Sequence, residues 1–332
     1  MRNVPLEEVD QVPRAVLPIG TDYPHGQLLD WHQHRRAQFL YGATGVMIVE
    51  TGNGTWTVPT ERAVLIPAGT RHCVRMLGVS TRSLYIEPDA VPWWPRACTV
   101  VDVTALLREL LLAAADFDAD YDLAGREGAI AGLLLHEIAA LAPMPLHVGL
   151  PPSPDLAGLC RRYLADPDAR LTNQDWARQL AMSERSFTRR FHGELGISPA
   201  AWRTRARLLA AVPLLHERTV TQVASQLGYS SPASFTAAFS RTFGVTPSAL
   251  ARSATPHPRL LLPPCRSCRD AGERLSLPCP SCRAARRSPS GPPGQRARLA
   301  RSRLRRPRPP ARSPATRALR VAACAGPSAG RQ

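Results

Sequence analysis

The chain contains no lysine: all 42 of its basic residues are arginine, a bias that points to a GC-rich coding sequence. No run of about 20 apolar residues is present to span a bilayer as a helix, so no membrane is expected among the partners. The N-terminus, Met1-Arg2-Asn3-Val4-Pro5-Leu6-Glu7-Glu8, lacks the apolar stretch of a secretion signal. Cysteine is sparse before the last segment. Cys73, Cys98 and Cys160 stand singly, as in a reduced protein, so the expected location is the cytoplasm. The length suits two ordinary domains plus an appendage.

A net charge of +16 invites a nucleic-acid reading, but its distribution weakens that argument. Residues 1–154 carry 11 Arg against 17 Asp and Glu, residues 155–251 carry 12 against 7, and residues 252–332 carry 19 against 2. The last segment therefore accounts for the whole surplus. A purely architectural basic protein would bind without sequence preference and lose affinity steeply with salt.

What is present is a pattern written twice. The first copy is Trp176-Ala177-x-Gln179-Leu180-x-Met182-Ser183-x-x-Ser186-Phe187-x-x-x-Phe191, closed by Gly196-Ile197-Ser198-Pro199. The second is Val223-Ala224-x-Gln226-Leu227-x-Tyr229-Ser230, then Ser234-Phe235-x-x-x-Phe239, closed by Gly244-Val245-Thr246-Pro247. The offset is 47 before the turn and 48 after it, so one extra residue sits in the second turn. Each copy reads as helix-turn-helix. Ser183 suits an N-cap. Phe187 and Phe191 mark the buried side of the second helix, so Arg185, Thr188, Arg189 and His192 face outward, where an arginine fork can take guanine O6 and N7. The corresponding outward face of the second copy is Ala233, Thr236, Ala237 and Ser240. The first unit is therefore expected to carry most base readout and the second mainly to dock, with Ser231, Thr236 and Ser240 as its DNA contacts.

An Arg-rich segment from Ala200 to about His216, with Arg203, Arg205 and Arg207, can form a connecting helix. Residues 155–251 resemble the AraC-type transcriptional regulators, whose C-terminal domain joins two helix-turn-helix units by a long helix. The match includes Ala224-x-x-Leu227-Gly228-Tyr229-x-Ser231-x-x-x-Phe235-x-x-x-Phe239-x-x-x-Phe243-Gly244-x-x-Pro247. Pro213 departs from the pattern and is expected to kink or shorten the joining helix.

From Gly26 to Glu87 the chain reads as short strands with turn punctuation, which predicts a small barrel or jelly roll. Val46-Met47-Ile48-Val49 and Trp56-Thr57-Val58 flank Thr51-Gly52-Asn53-Gly54, a hairpin signal. His32-Gln33-His34, Gln38 and Pro67-Ala68-Gly69-x-x-His72 resemble the cupin motifs. That resemblance implies His32, His34, Gln38 and His72 as an effector or metal site, with Gln38 where the family has a glutamate. Three neutral imidazoles could hold a divalent ion such as Zn²⁺, or contact a small effector without metal. The segment 62–72 looks closest to AraC-type regulators with a cupin sensor, some of which govern efflux of small toxic compounds. Two apolar helical runs follow, Ala105–Leu112 and Ile130–Leu141. In such regulators helices of this kind pair two subunits; packing on the barrel is the alternative. Pro143, Pro145, Pro151, Pro152 and Pro154 mark a linker.

In the last segment, Cys265-x-x-Cys268 and Cys279-x-x-Cys282 have the spacing of a structural zinc site. Their surroundings are rich in Arg, Pro, Ser and Ala, a composition that predicts a disordered basic tail or a read-through extension. The expectation is thus an α+β multidomain protein. It comprises a cupin-like β-barrel with helices (1–142), a Pro-rich linker (143–154), an all-α double helix-turn-helix domain (155–251) and a disordered tail (252–332). The expected function is sequence-specific regulation of transcription, with double-stranded DNA and a small-molecule effector as partners, no membrane, and a homodimer if the two apolar helices pair subunits and do not pack on the barrel. The competing reading is a metal-dependent cupin enzyme, a small dioxygenase or isomerase. It is disfavoured because no second acid-base pair accompanies the histidines.

Overall fold

The computed structural model describes residues 1 and 3–252. The paired cysteines Cys265, Cys268, Cys279 and Cys282 and the expected disordered tail lie outside the described residues. A short helix, α1 (Leu6–Val9), precedes strands β1 (Val16–Asp22), β2 (Gln27–His32), β3 (Ala37–Gly42), β4 (Val46–Thr51), β5 (Gly54–Val58), β6 (Arg62–Ile66), β7 (His72–Leu77), β8 (Ser80–Ile86) and β9 (Thr99–Asp102). Helices α2 (Ala105–Ala114) and α3 (Arg126–Ala139) follow, then β10 (Pro143–Met144) and β11 (His147–Gly149). The rest of the described chain is helical: α4 (Pro154–Ala165), α5 (Asn173–Gln179), α6 (Glu184–Leu195), α7 (Pro199–Leu214), α8 (Val220–Gln226), α9 (Pro232–Phe243) and α10 (Pro247–Arg252).

The strands do not close into the expected cupin-like barrel. They form two open antiparallel sheets, a six-stranded one in the order β1-β8-β3-β6-β9-β10 and a five-stranded one in the order β11-β5-β4-β7-β2. Closure requires edge strands to pair with each other at a consistent stagger, and these edges cannot. β10 is two residues long and starts with Pro143, which has no N–H to give. β11 is three residues long, and the β2–β7 ladder shifts register between Leu29 and His32. Both the barrel and the cupin-like identity expected from the histidine motifs are overturned by this topology.

The β4–β5 hairpin forms where expected, with Thr51 opposite Gly54. Its glycine serves a different purpose from the one the Asn-Gly pair suggests, because none of Gly52, Asn53 and Gly54 adopts positive φ. A Cβ on Gly54 would lie 2.8 Å from the Val148 carbonyl oxygen, so glycine is what lets β11 pass. All six residues of β4 are buried. Ile48 and Glu50 of β4, with Thr55 and Thr57 of β5, face a small cavity bounded by Arg161 and Leu164 of α4 and Leu209 and Pro213 of α7. Both faces of β4 are covered, which is why its Val46-Met47-Ile48-Val49 run shows no alternation of apolar and polar residues.

Two units of similar build make up the helical part. Trp176, Phe187, Phe191 and Trp202 are 2% exposed or less and form one aromatic cluster with Tyr163. Phe235, Phe239 and Phe243 form the second with Tyr229. Helix starts are fixed by side-chain caps: Ser183 accepts from the Ser186 amide at 3.2 Å, and Thr172, Thr219 and Ser231 form reciprocal capping boxes. Gly196 and Gly244 end α6 and α9 in the left-handed region, at φ 71° and 75°. Helix α7 runs to Leu214 with Pro213 in its last turn, so the proline leaves the middle of the helix intact.

Candidate nucleic-acid interface and histidine cluster

Helix α6 is positioned by burying Phe187 and Phe191, which turns its opposite side to solvent. Arg185, Arg189 and His192 are exposed there and Thr188 is half-buried; with Glu184 they line a shallow open depression. Among the described residues Arg185 and Arg189 make no hydrogen bond or ion pair. Their neighbour Arg190 behaves differently. It holds Asp155 at 2.7 Å and Glu194 at 3.2 Å. The guanidinium of Arg190 keeps the Asp155 carboxyl down at about 2, while Arg185 and Arg189, one turn apart, are left with all their donors free.

The second unit brings fewer donors to the surface. On α9, Ala233 and Ala237 are exposed and Thr236 is half-buried. The Ser231 hydroxyl accepts from the Ser234 amide at 3.1 Å as the helix cap, so it is already engaged. The Ser240 hydroxyl is shielded from solvent and has no hydrogen-bond partner. Arg203, Arg205 and Arg207, the basic residues of the joining segment, are also taken up by the fold. Arg203 is 8% exposed and lies 5.0 Å from the Trp176 ring, Arg205 donates to the carbonyls of Pro145 and His147, and Arg207 stacks on Tyr229. Sequence reasoning gives no sign of this, since a buried arginine over tryptophan reads like any surface cation.

In the sandwich, the fold brings His32, His34 and His72 together. One ring nitrogen of each lies within 4.8 Å of the others. His32 and His72 are directly paired across β2 and β7, while His34 comes from the following loop. Carbonyl oxygens can only accept, so the contacts of His72 Nδ1 with Thr70 (2.8 Å) and of His32 Nδ1 with Asp30 (2.5 Å) place protons on both Nδ1 atoms. The Nε2 lone pairs are then free. Buried Nε2 atoms of His34 and His72 have no partner. Burial, followed by the charge of His32 and His72, pushes His34 down to about 3; burial likewise lowers His72 to about 4. At neutral pH His34 and His72 are uncharged, the form that ligates metals.

Gln38, which the motif places with the histidines, is buried on β3. Its amide donates to the Tyr85 hydroxyl at 3.0 Å and its carbonyl oxygen is unpartnered. Tyr85 was not singled out from the sequence. It lies edge-on to His34, with ring centroids 5.1 Å apart, and burial raises its hydroxyl above the ordinary range. Cys98 and Cys160 are buried free thiols, whereas Cys73, expected to be a single free thiol, is disulfide-bonded. No helix among the described residues is long and apolar enough to cross a membrane.

Comparison with known proteins decides the family. Residues 19–141 match the AraC-like ligand binding domain and residues 176–253 match a helix-turn-helix domain. The HTH-type transcriptional regulator NimR of Escherichia coli K12 is 30% identical over 235 residues, covering 70% of this chain and 86% of that protein. The chain belongs to the AraC-type transcriptional regulators. The HTH-type transcriptional regulator ExsA of Pseudomonas aeruginosa is 36% identical over 76 residues, covering 22% of this chain and 27% of that protein. A crystal structure of ToxT from Vibrio cholerae aligns over 73% of this chain and 100% of its own at 10% identity and a TM-score of 0.32. The AraC-type regulator described here is therefore a DNA-binding protein with an N-terminal ligand-binding domain, and its role is regulatory rather than enzymatic.

Proposed function

We propose that α6 is the principal base reader, with Arg185, Thr188 and Arg189 on base edges and His192 beside them, and that α9 contributes chiefly Thr236, since the Ser231 hydroxyl caps the helix and that of Ser240 is shielded. The observation that carries this is the pair of unpaired, exposed arginines on one face of α6, next to Arg190, whose guanidinium is consumed by carboxylates. On this reading the effector domain is 1–142, the linker 143–154 and the DNA-binding domain 155–251. Replacing Arg189 by Ala should cost about 1–3 kcal/mol on the cognate site and relax one base preference. Anisotropy titrations of the full chain on promoter fragments and on random duplex check this. An equal loss on random DNA would assign Arg189 to the phosphate backbone.

The effector of this regulator is proposed to engage the His32, His34 and His72 cluster, with Gln38 at its edge. Three imidazoles with free Nε2 atoms, those of His34 and His72 held uncharged by burial, fit a zinc-class divalent ion, which would offer an open coordination position to an anionic or nitrogen-donor effector. Elemental analysis of full-length protein is expected to find about one divalent ion per chain, lost in His72→Ala; equal metal in both proteins would place the ion elsewhere. Two copies are proposed to pair in the cytoplasm through α2 and α3, supported by Leu106 and Leu133, which are 51% and 40% exposed on them. Sedimentation of Leu133→Arg should then shift toward monomer.

A further inference from the structure

The two reader helices can be compared position by position. Counted from their first residues, Glu184 and Pro232, Arg185 corresponds to Ala233, Thr188 to Thr236, Arg189 to Ala237 and His192 to Ser240. Every strong hydrogen-bonding group on α6 is thus matched on α9 by a methyl group or a small hydroxyl. The hydroxyls are largely unavailable. Ser231 is engaged in its capping box, and the Ser240 hydroxyl is shielded from solvent. The outward face of α9 is left with mainly apolar groups: Pro232, Ala233 and Ala237 are exposed, with Thr236 half-exposed between them, while the exposed Ser234 spends its hydroxyl on the Ser231 carbonyl. Arg241, exposed in the last turn, makes no hydrogen bond or ion pair among the described residues and provides a cation for the phosphate backbone.

A reader helix carrying methyl groups has one base-specific partner in the major groove. The thymine C5-methyl is the apolar feature there, and Ala and Thr methyl groups are the side chains that contact it. We propose that this regulator reads a two-part operator of unlike chemistry. The half facing Arg185 and Arg189 carries guanine, and the half facing Ala233, Thr236 and Ala237 is selected for thymine methyl groups. The proposal rests on α6 being a base reader. It replaces mere docking of the second unit by a definite preference, and it commits the exposed face of α9 to DNA.

The experiment is selection of duplexes from a random pool by the full chain, followed by substitution of uracil for thymine at each selected position. Uracil keeps the hydrogen-bonding edge and removes only the methyl. The selected sites are expected to show guanine in one half and thymine in the other, about one helical turn apart. Uracil in the second half should weaken binding about fourfold per contacted position, the worth of one buried methylene, and should change nothing in the first half. Ala237→Arg alters an exposed position and should shift the second half toward guanine while abolishing its uracil sensitivity. Selection of a guanine-bearing half with no preference in the other, or indifference to uracil throughout, would overturn the proposal and assign the α9 face to phosphates or to another protein. No enrichment at all would sink the base-reader reading together with it.

Discussion

At the scale of single residues, the turn of each helix-turn-helix unit depends on one backbone conformation. Gly228 adopts φ 75° in the second turn, and a Cβ there would come within 2.7 Å of the Ala169 Cβ. The equivalent residue in the first turn is Ala181, held at φ 52°. A left-handed conformation costs a non-glycine residue about 1–2 kcal/mol. Ala181→Gly is therefore expected to stabilise the protein by about 1 kcal/mol and raise its melting temperature by a few degrees; an unchanged or lower melting temperature would mean the turn is held by its neighbours at no cost. The histidine cluster yields a second expectation at this scale. In metal-free protein His34 titrates at about 3 and His72 at about 4, against an ordinary 6.5, with only Asp10 nearby opposing the shift of His34. As pH falls below about 6.5 the unfolded chain takes up protons at both positions and the folded chain does not. Their contribution is complete above that value and is lost progressively toward pH 4, reaching about 2–4 kcal/mol by pH 5. Melting curves in chelator should show this slope, and His34→Gln with His72→Gln should flatten it.

At the scale of elements, legibility followed whether a signal is local. The two helix-turn-helix units were readable because Phe187 and Phe191, or Phe235 and Phe239, fix a buried face within one helix, and because caps such as Ser183 act over three residues. The extra residue in the second turn was visible as well: four residues separate α5 from α6 and five separate α8 from α9. Sheet closure was not readable. Whether a set of strands forms a barrel is settled by how its edges end, and here Pro143 and the bulge near Leu29 leave both sheets open. Gly54 shows a signal that was right for another reason, since the hairpin needs it for the approach of the Val148 carbonyl and not for positive φ. The clustering of His32, His34 and His72 was legible only through the resemblance to the cupin motifs, although the barrel that resemblance implied does not form, whereas the role of Tyr85 beside Gln38 required the β3–β8 pairing that sets them opposite each other.

At the scale of the whole molecule, the segment expected as a linker does more than connect. β10 joins the six-stranded sheet through β9, and β11 joins the five-stranded sheet through β5. The same segment is held by α7: Trp202 donates to the Gly149 carbonyl at 2.7 Å, and Arg205 donates to those of His147 and Pro145 at 2.6 and 2.7 Å. The five-stranded sheet thus has the histidine cluster on β2 and β7 at one side and the attachment to the reader at its opposite edge, β11. A contiguous hydrogen-bonded sheet therefore lies between the histidines and α7, the kind of rigid element that can couple two sites. If Arg205 is the main fastening, Arg205→Ala should loosen this edge by about 2 kcal/mol, the worth of hydrogen bonds from a charged donor. Limited proteolysis should then cut within residues 143–154 on the order of tenfold faster, while affinity for a selected duplex stays within about twofold, because Arg205 lies under Phe243 and away from the exposed face of α6. An unchanged cleavage rate would show that the core running from Val148 into Trp202 holds the two parts together unaided.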